Sequence, residues 1–138
     1  MEVIFIDKYT GFIVKENINN QTFIMGLEPT DWNDKTIYLN LYITLYNKRK
    51  DIDKNENLIK TTGLNPAKTI STAIKAFKIL EEECLNYYNE EYNVIIYCTW
   101  LDKRRRDIYY RYLSRFGYKY GKHPYDNFKY IYKKYEKK

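Results

Sequence analysis

The sequence predicts a mixed α/β domain, in which a central mixed β-sheet is flanked by two main helices and followed by a C-terminal β-hairpin. Three observations support this fold class. Residues Ile37–Tyr46 alternate strictly between aliphatic and other side chains, which is the period of a β-strand. Residues Pro66–Tyr88 place apolar side chains at the spacing of a long helix. Residues Tyr92–Tyr118 combine an apolar strand, a basic helix and a glycine that ends the helix.

The chain has 138 residues, enough for one domain with its own hydrophobic core. No linker or internal repeat divides it, so residues 1–138 are predicted to form a single domain. No apolar stretch reaches membrane-spanning length, and the apolar run near the N-terminus is too short for a signal peptide. We therefore expect a cytoplasmic protein that does not enter a membrane.

The N-terminal part predicts a β-hairpin. Val3–Ile6 and Phe12–Lys15 are β-rich runs on either side of a loop that contains Gly11. Trp32 is expected to fill a gap in the core rather than to stack on a ligand. The prediction continues with a turn, a third extended run and a loop, at Glu16–Gln21, Thr22–Met25 and Leu27–Lys35 respectively.

The strand at Ile37–Tyr46 is predicted to have two different faces. Its aliphatic face should pack against a helix, whereas Tyr38, Tyr42 and Tyr46 should form a half-buried wall on the other face. The highly charged segment Asn47–Asn57 is predicted to be a surface connector.

The long helix at Pro66–Tyr88 has a marked start, because Asn65 can cap it and Pro66 suits the first helical position. The loop before it joins small and polar residues to a helix N-terminus, where backbone N–H groups can hold a phosphate. The same residues would equally serve to shape a strand-to-helix turn. The inward face of the helix is predicted to consist of Ile70, Ala73, Ile74, Phe77, Leu80, Cys84 and Tyr88.

The strand, helix and glycine unit at Tyr92–Tyr118 is the clearest unit of the fold. Its apolar run at Val94–Thr99 predicts a strand covered on both faces. Asp102 is the predicted N-cap of a helix over Lys103–Phe116, and Gly117 is the predicted left-handed residue that ends it. After the helix, Tyr118–Tyr120 and Phe128–Tyr135 are predicted to pair as a hairpin around a Gly121–Pro124 turn, and Lys133–Lys138 are expected to fray.

Charge is distributed unevenly along the chain. Residues 1–102 carry 11 Lys and Arg against 15 Asp and Glu, whereas residues 103–138 carry 13 against 3. A basic C-terminal quarter indicates an acidic partner, either a nucleic acid or a protein, although a solvated helix face has the same composition. The residues predicted to bind this partner are Arg104, Arg105, Arg106, Arg111, Lys119 and Lys122.

The sequence offers little for metal or thiol chemistry. Cys84 and Cys98 each lie within an apolar pattern, which is typical of reduced, packed thiols. His123 is the only histidine. We therefore predict no metal site.

The order of elements from residue 37 to residue 135 resembles the GNAT acetyltransferase superfamily. In that family a glycine-rich motif precedes the helix that holds the pyrophosphate of acetyl-CoA, and Lys60-Thr-Thr-Gly63-Leu-Asn65 resembles it with two of three marked positions changed. The later helix that ends in Leu-Gly-Phe is matched here by Phe116-Gly117-Tyr118. The resemblance is to the small, diverged GNAT-like proteins that are frequent in phages and mobile elements, which would place the protein in the host cytoplasm if it is phage-encoded.

The resemblance implies acetyl-CoA as a candidate ligand and assigns residues to it. The implied cofactor-binding residues are Lys60, Thr62, Gly63 and Asn65. Leu113 stands where active members often carry a tyrosine as general acid, and Tyr110 and Tyr112 are the substitutes nearby. The base candidates are Glu28, Asp31 and Asp34.

Three functions follow from these features. The first is a non-catalytic binding or inhibitory module that acts through the basic C-terminal surface. The second is an acetyl-CoA-dependent N-acetyltransferase, which also needs a base for the amine proton and a donor for the leaving thiolate. The third is a nucleic-acid-binding protein, since arginines interleaved with tyrosines can contact phosphates and stack on bases. Because of Leu113 and the changed loop, we predict that acetylation is inefficient.

Overall fold

The computed structural model describes residues 1–18, 20–46, 66–124 and 127–138. These residues form one mixed sheet of seven strands in the order β1-β2-β3-β4-β5-β7-β6. The prediction of a mixed α/β domain with two main helices is therefore confirmed. The strands are β1 (Val3–Asp7), β2 (Gly11–Ile18), β3 (Gln21–Trp32), β4 (Thr36–Tyr46), β5 (Asn93–Cys98), β6 (Lys119–Lys122) and β7 (Lys129–Tyr135), and the helices are α1 (Pro66–Tyr88) and α2 (Lys103–Leu113).

The first four strands form an antiparallel meander. The β1–β2 hairpin is as predicted, but two boundaries were wrong. Glu16–Ile18 belong to β2 rather than to a turn, because Asn17 and Ile18 pair with Thr22 and Gln21. Leu27–Trp32 belong to β3 rather than to a loop, because the long strand β4 supplies hydrogen-bonding partners for them. The register shifts between Pro29 and Asp31, and this bulge accommodates the proline within a strand.

Strand β5 pairs in parallel with β4, from Thr36 opposite Asn93 to Asn40 opposite Tyr97. The chain returns from β4 to β5 through α1, whose bounds agree with the prediction. The connector at 47–57, the loop residues Lys60, Thr62, Gly63 and Asn65, and the rest of 47–65 lie outside the described residues.

The two faces of the sheet differ as the alternation in β4 predicts. Ile37, Leu39 and Leu41 belong to the main core, together with the buried side of α1. Phe77, Leu80, Cys84 and Tyr88 of the predicted helix stripe are buried there, and so is Ala76. On the opposite face, Tyr38, Ile95, Tyr97 and Tyr130 form a second, smaller cluster.

Helix α2 has the predicted ends. The Asp102 side chain accepts a hydrogen bond from the Arg105 backbone N–H at 2.9 Å, which caps the first turn. A short 3₁₀ turn, Ser114–Phe116, follows α2, and Gly117 stops it with φ +91°. Helical structure therefore extends to Phe116, as the pattern indicated.

The C-terminal hairpin lies at the end of the sheet, with β7 between β5 and β6. Gly121 and Lys122, predicted as a turn, instead pair with Tyr130 and Lys129 in the hairpin ladder. The end of the chain does not fray as expected. Lys133–Tyr135 pair with β5, and beyond the strand the Lys137 and Lys138 backbone N–H groups bond to Asn93 Oδ1 and the Asn89 carbonyl oxygen at 2.7 and 3.0 Å.

Candidate functional site

A cavity opens where the parallel strands β4 and β5 end. β5 stops at Cys98, opposite the region of Asn40, whereas β4 continues to Tyr46. The carboxyl-terminal half of β4 therefore has no β5 residue beside it. The resulting cavity has a volume of about 600 Å³. Crevices at the carboxyl ends of parallel strands are a common place for ligands in α/β sheets, and this volume is typical of small-molecule sites.

The floor of the cavity is apolar and comes from β3 and β4. Phe23, Met25, Leu41 and Ile43 line it. Each of them projects from the face of the sheet that carries the main core. The floor is thus a part of that core that neither α1 nor α2 covers completely.

The first half of α1 forms one wall, through Thr69, Ile70, Ala73, Ile74 and Phe77. The sequence predicted the apolar members of this set as the inward face of the helix. They do face inward, but Ile70, Ala73 and Ile74 remain only partly buried because they lie over the gap beside β4. The buried part of the stripe begins at Ala76 and Phe77.

Helix α2 and the 3₁₀ turn form the opposite wall. Ile108, Tyr109, Tyr112, Leu113 and Phe116 line this side. Leu113, at the position where the resemblance would predict a tyrosine acid, is 8 % exposed. Its apolar side chain can pack against a ligand but cannot give it a proton.

The predicted catalytic tyrosines have different surroundings. Tyr112 lines the cavity, and the Arg111 and Arg115 guanidinium carbons lie 5.8 and 5.3 Å from its ring centre. Tyr110 does not line it. Its ring stacks on Tyr120 of β6, with the ring centres 4.2 Å apart and the planes 11° apart. Of the two, only Tyr112 is placed to contact a ligand in the cavity.

The thiol and one phenol of the cavity stay protonated at neutral pH. Burial raises the pKa of the Cys98 thiol to about 12. Burial also raises the pKa of Tyr109, while the nearby Arg105 guanidinium opposes this shift. Because thiolate is the nucleophilic form of cysteine, Cys98 is not an activated nucleophile.

Two arginines lie at the rim of the cavity. Arg105 forms an ion pair with Asp102, with 3.2 Å between Nη1 and Oδ2, and its side chain is largely buried. Arg104 also lines the cavity, is exposed, and forms no ion pair within the part of the chain that the structure describes. Arg104 is therefore the guanidinium at this rim that can take an anionic ligand without breaking an existing ion pair.

The remaining predicted basic residues form a surface outside the cavity. Arg106 is bound to Asp107, with contacts of 3.1 Å to the same carboxylate oxygen. Arg111 and Lys122 are exposed. Lys119 is exposed too, and its Nζ lies 5.6 Å from the Tyr132 ring centre. The structure thus divides the predicted partner residues into three groups. Arg104 and Arg105 lie at the cavity rim, Arg106 is in an ion pair, and Arg111, Lys119 and Lys122 are exposed.

Two of the three base candidates, Glu28 and Asp31, lie on the tyrosine face of the sheet. Glu28 is opposite Asn40 in the β3–β4 ladder. Burial, with a smaller effect of Glu28, raises the pKa of Tyr42. Asp31 Oδ2 lies 3.3 Å from His123 Nε2. Asp34 is exposed between β3 and β4, so these three acids do not converge on one point.

His123 is the residue that sequence reasoning placed least well. It follows β6, but it is 1 % exposed and packs among Tyr38, Tyr97, Phe128 and Tyr130, with its ring stacked on Phe128 at 4.7 Å. The tyrosine wall predicted on β4 was the signal in the sequence for this burial, because such a wall must be covered by other side chains. Within the described residues, no group of three or more His, Cys, Asp or Glu side chains could hold a metal ion.

Comparison of the chain with protein-family models, with curated proteins and with solved structures finds no match. Neither of the helices in the described part of the chain is long and apolar enough to cross a membrane. The functional assignment therefore rests on the cavity and the charges around it.

Proposed function

We propose that the protein binds a small ligand that combines an apolar part with anionic groups, of the acyl-CoA class, in the cavity beside β4 and β5. The observation that carries this proposal is the cavity itself: an apolar floor and walls of about 600 Å³, with Arg104 exposed at the rim. An apolar interior with a few charged groups at its edge is the usual composition of a site for such a ligand.

We further propose a GNAT-like frame for this site. The order of elements supports it: an antiparallel meander, a long helix, a strand parallel to β4, a second helix that ends near Phe116-Gly117-Tyr118, and a terminal hairpin. The resemblance noted in the sequence follows the same order. It also makes acetyl-CoA the first ligand to test.

The residues of the cavity fit a CoA thioester in chemical type. Such a ligand would supply an activated acyl group and phosphates. Ile70, Ile74 and Ile108 would surround its apolar part, and Arg104 would bind an anionic group through charge-assisted hydrogen bonds.

We propose that binding is not followed by efficient acetyl transfer. Leu113 offers no proton for a leaving thiolate, and Cys98 is protonated at neutral pH because burial raises its pKa to about 12. Among the residues that line the cavity, Tyr112 carries the hydroxyl group closest in sequence to Leu113. The proposed role is thus a binding or inhibitory module, which suits the small phage and mobile-element proteins that the sequence resembles.

A second candidate is binding of an acidic macromolecule, nucleic acid or protein, to the exposed basic residues. Arg111, Lys119 and Lys122 favour it, because they are exposed on α2 and β6 and form no ion pair within the described residues. An extended surface of this kind would bind a polymer rather than a small molecule. If the ligand is such a polymer, Arg104 and Arg111 would contribute to its binding in the same way.

Calorimetric titration with acetyl-CoA tests the first proposal, and a matched pair of arginines distinguishes it from the second. We expect Arg104→Ala to weaken acetyl-CoA binding by about 10- to 100-fold, as for the loss of a charged hydrogen bond. Arg111→Ala should leave binding unchanged, because Arg111 does not line the cavity. Ala73→Phe should fill the cavity and abolish binding, whereas Ser71→Phe places the same ring on the exposed side of α1.

Failure of the wild-type protein to bind acetyl-CoA would contradict the first proposal, and so would equal losses in the two arginine variants.

The second candidate is tested by measuring whether the protein retains single- or double-stranded nucleic acid at low salt. There, the logarithm of affinity should fall linearly with the logarithm of salt, with a slope of roughly −0.7 to −0.9 per phosphate contact. Removing Arg111 or Lys119 should each flatten the slope by about one contact. If the protein retains neither single-stranded nor double-stranded nucleic acid, nucleic acid is excluded as the partner.

A further inference from the structure

Most of the large apolar side chains that are exposed in the described residues lie on or beside the edge strand β1. β1 lies at one end of the sheet, so within the described residues no strand neighbours its outer backbone groups. Ile4, Phe5 and Ile6 are 43 %, 44 % and 45 % exposed. Of the eight large hydrophobic side chains that are exposed in the described residues, six lie on or beside this strand: Met1, Ile4, Phe5, Ile6, Tyr9 and Tyr87.

The apolar surface continues from the strand onto α1. The Phe5 ring lies 4.9 Å from the Tyr87 ring, which is itself 45 % exposed. Ile4 pairs with Ile13 and so projects from the opposite face of the sheet to Phe5, which pairs with Phe12 of the main core. A strand laid along β1 would therefore gain backbone hydrogen bonds and apolar contacts on both faces.

The opposite edge of the sheet is protected. β6 has four residues, and Lys119 and Lys122 at its two ends are exposed. Short, lysine-bearing edge strands are a common means of preventing strand addition. β1 has five residues, and only its last, Asp7, is charged. The side chain of Asp7 is held by its own turn, where it accepts hydrogen bonds from the Tyr9 and Thr10 backbone N–H groups.

We propose that β1 pairs in an antiparallel arrangement with β1 of a second copy of this chain, which joins the two sheets edge to edge. Charge complementarity identifies the partner. Glu2 precedes the strand and Lys8 follows it, and both are exposed. A two-fold axis at Phe5 places Glu2 opposite Lys8 of the second copy, and Ile4 opposite Ile6 of the second copy.

Neighbouring registers fit less well. An axis at Ile4 places Glu2 opposite Ile6 and Met1 opposite Asp7, and an axis at Ile6 places Phe5 opposite Asp7 and Ile4 opposite Lys8. The axis at Phe5 has one such mismatch, Val3 opposite Asp7, and of the three it alone pairs Glu2 with Lys8. Cross-strand pairs of opposite charge and of apolar side chains stabilise a sheet, so the axis at Phe5 is favoured. The β1–β2 register shifts between Phe5 and Asp7, and the resulting kink keeps the paired segment short. The dimer should therefore dissociate on dilution.

Sedimentation equilibrium over a range of concentrations tests the proposal. The wild-type protein should approach twice the 16.9 kDa of one chain as concentration rises. Ile4→Lys should remain monomeric, because it brings a charge into the apolar part of the pairing. Leu101→Lys is the matched control: it removes an exposed apolar side chain in the β5–α2 connection and should dimerise as the wild type does.

A charge-reversal cycle tests the register without touching the apolar surface. Glu2→Lys and Lys8→Glu should each raise the dimer dissociation constant by about tenfold, because each puts like charges opposite one another at two symmetric places. The double variant should return to the wild-type constant. Circular dichroism of every variant checks that the fold is kept. A wild-type protein that stays monomeric at its highest soluble concentration overturns the proposal, and so does an Ile4→Lys variant that still dimerises or a double variant that fails to recover.

Discussion

Gly11→Ala should destabilise the protein considerably more than Gly117→Ala, although both glycines have the same left-handed backbone. Their φ angles are +89° and +91°. A non-glycine residue in this region costs about 1–2 kcal/mol. The two sites differ in what a Cβ atom would meet. At Gly11 it would overlap the Leu27 carbonyl oxygen, which is backbone of the neighbouring strand and cannot move aside. At Gly117 it would lie 3.3 Å from the end of the flexible Lys133 side chain.

We therefore expect Gly117→Ala to lower the free energy of unfolding by about 1–2 kcal/mol, and Gly11→Ala by at least about 3 kcal/mol. Urea unfolding followed by circular dichroism measures both values. Equal losses in the two variants would mean that β2 and β3 can separate at Gly11 without cost. That result would contradict the continuous ladder from Phe12 opposite Leu27 to Ile18 opposite Gln21.

Leu80→Ala and Ile74→Ala should differ in the same experiment, although both residues belong to the apolar stripe of α1. Leu80 is completely buried against the sheet, so its truncation leaves a new void and should cost about 2–5 kcal/mol. Ile74 lines the cavity and is only partly buried. Its truncation enlarges a space that is already open, so we expect a loss of about 1 kcal/mol.

The difference in stability between these two variants tests whether the cavity is open in solution when no ligand is bound. Lys75→Ala, on the exposed side of the same helix, controls for a general effect on helix stability. If Ile74→Ala proves as costly as Leu80→Ala, then the cavity is closed in solution and its lining is tightly packed. In that case the proposal of a small-molecule site beside β4 loses its basis.

The elements that the sequence predicts well are those whose pattern is local. The strict alternation at Ile37–Tyr46 predicts β4 and the difference between the faces of the sheet, and Asp102 and Gly117 predict the ends of the helical segment between them. The prediction of a loop at Leu27–Trp32 was wrong for a physical reason. Pro29 and Asp31 are typical of loops, but the length of β4 and a bulge allow them to pair as a strand.

The candidate site depends on relations that no local pattern contains. The stripe of α1 predicts which residues face inward, but not that Ile70 and Ile74 lie over a gap. That gap exists because β5 ends at Cys98 while β4 continues to Tyr46. His123 is similar, since its burial depends on tyrosines from three other strands. Relative strand lengths and tertiary burial must be seen in the fold.

The position of β7 between β5 and β6 bears on how the protein is made. The meander β1–β4 is built from neighbouring segments, so its contacts can form as soon as Tyr46 has left the ribosome. β5 has β4 on one side only until Lys129–Tyr135 have been synthesised, and β6 has no partner before then. A nascent chain that stops short of β7 would thus present the apolar strand β5 with one open edge. We expect the sheet to be completed only after β7 emerges, and the incomplete chain to depend on chaperones until that moment.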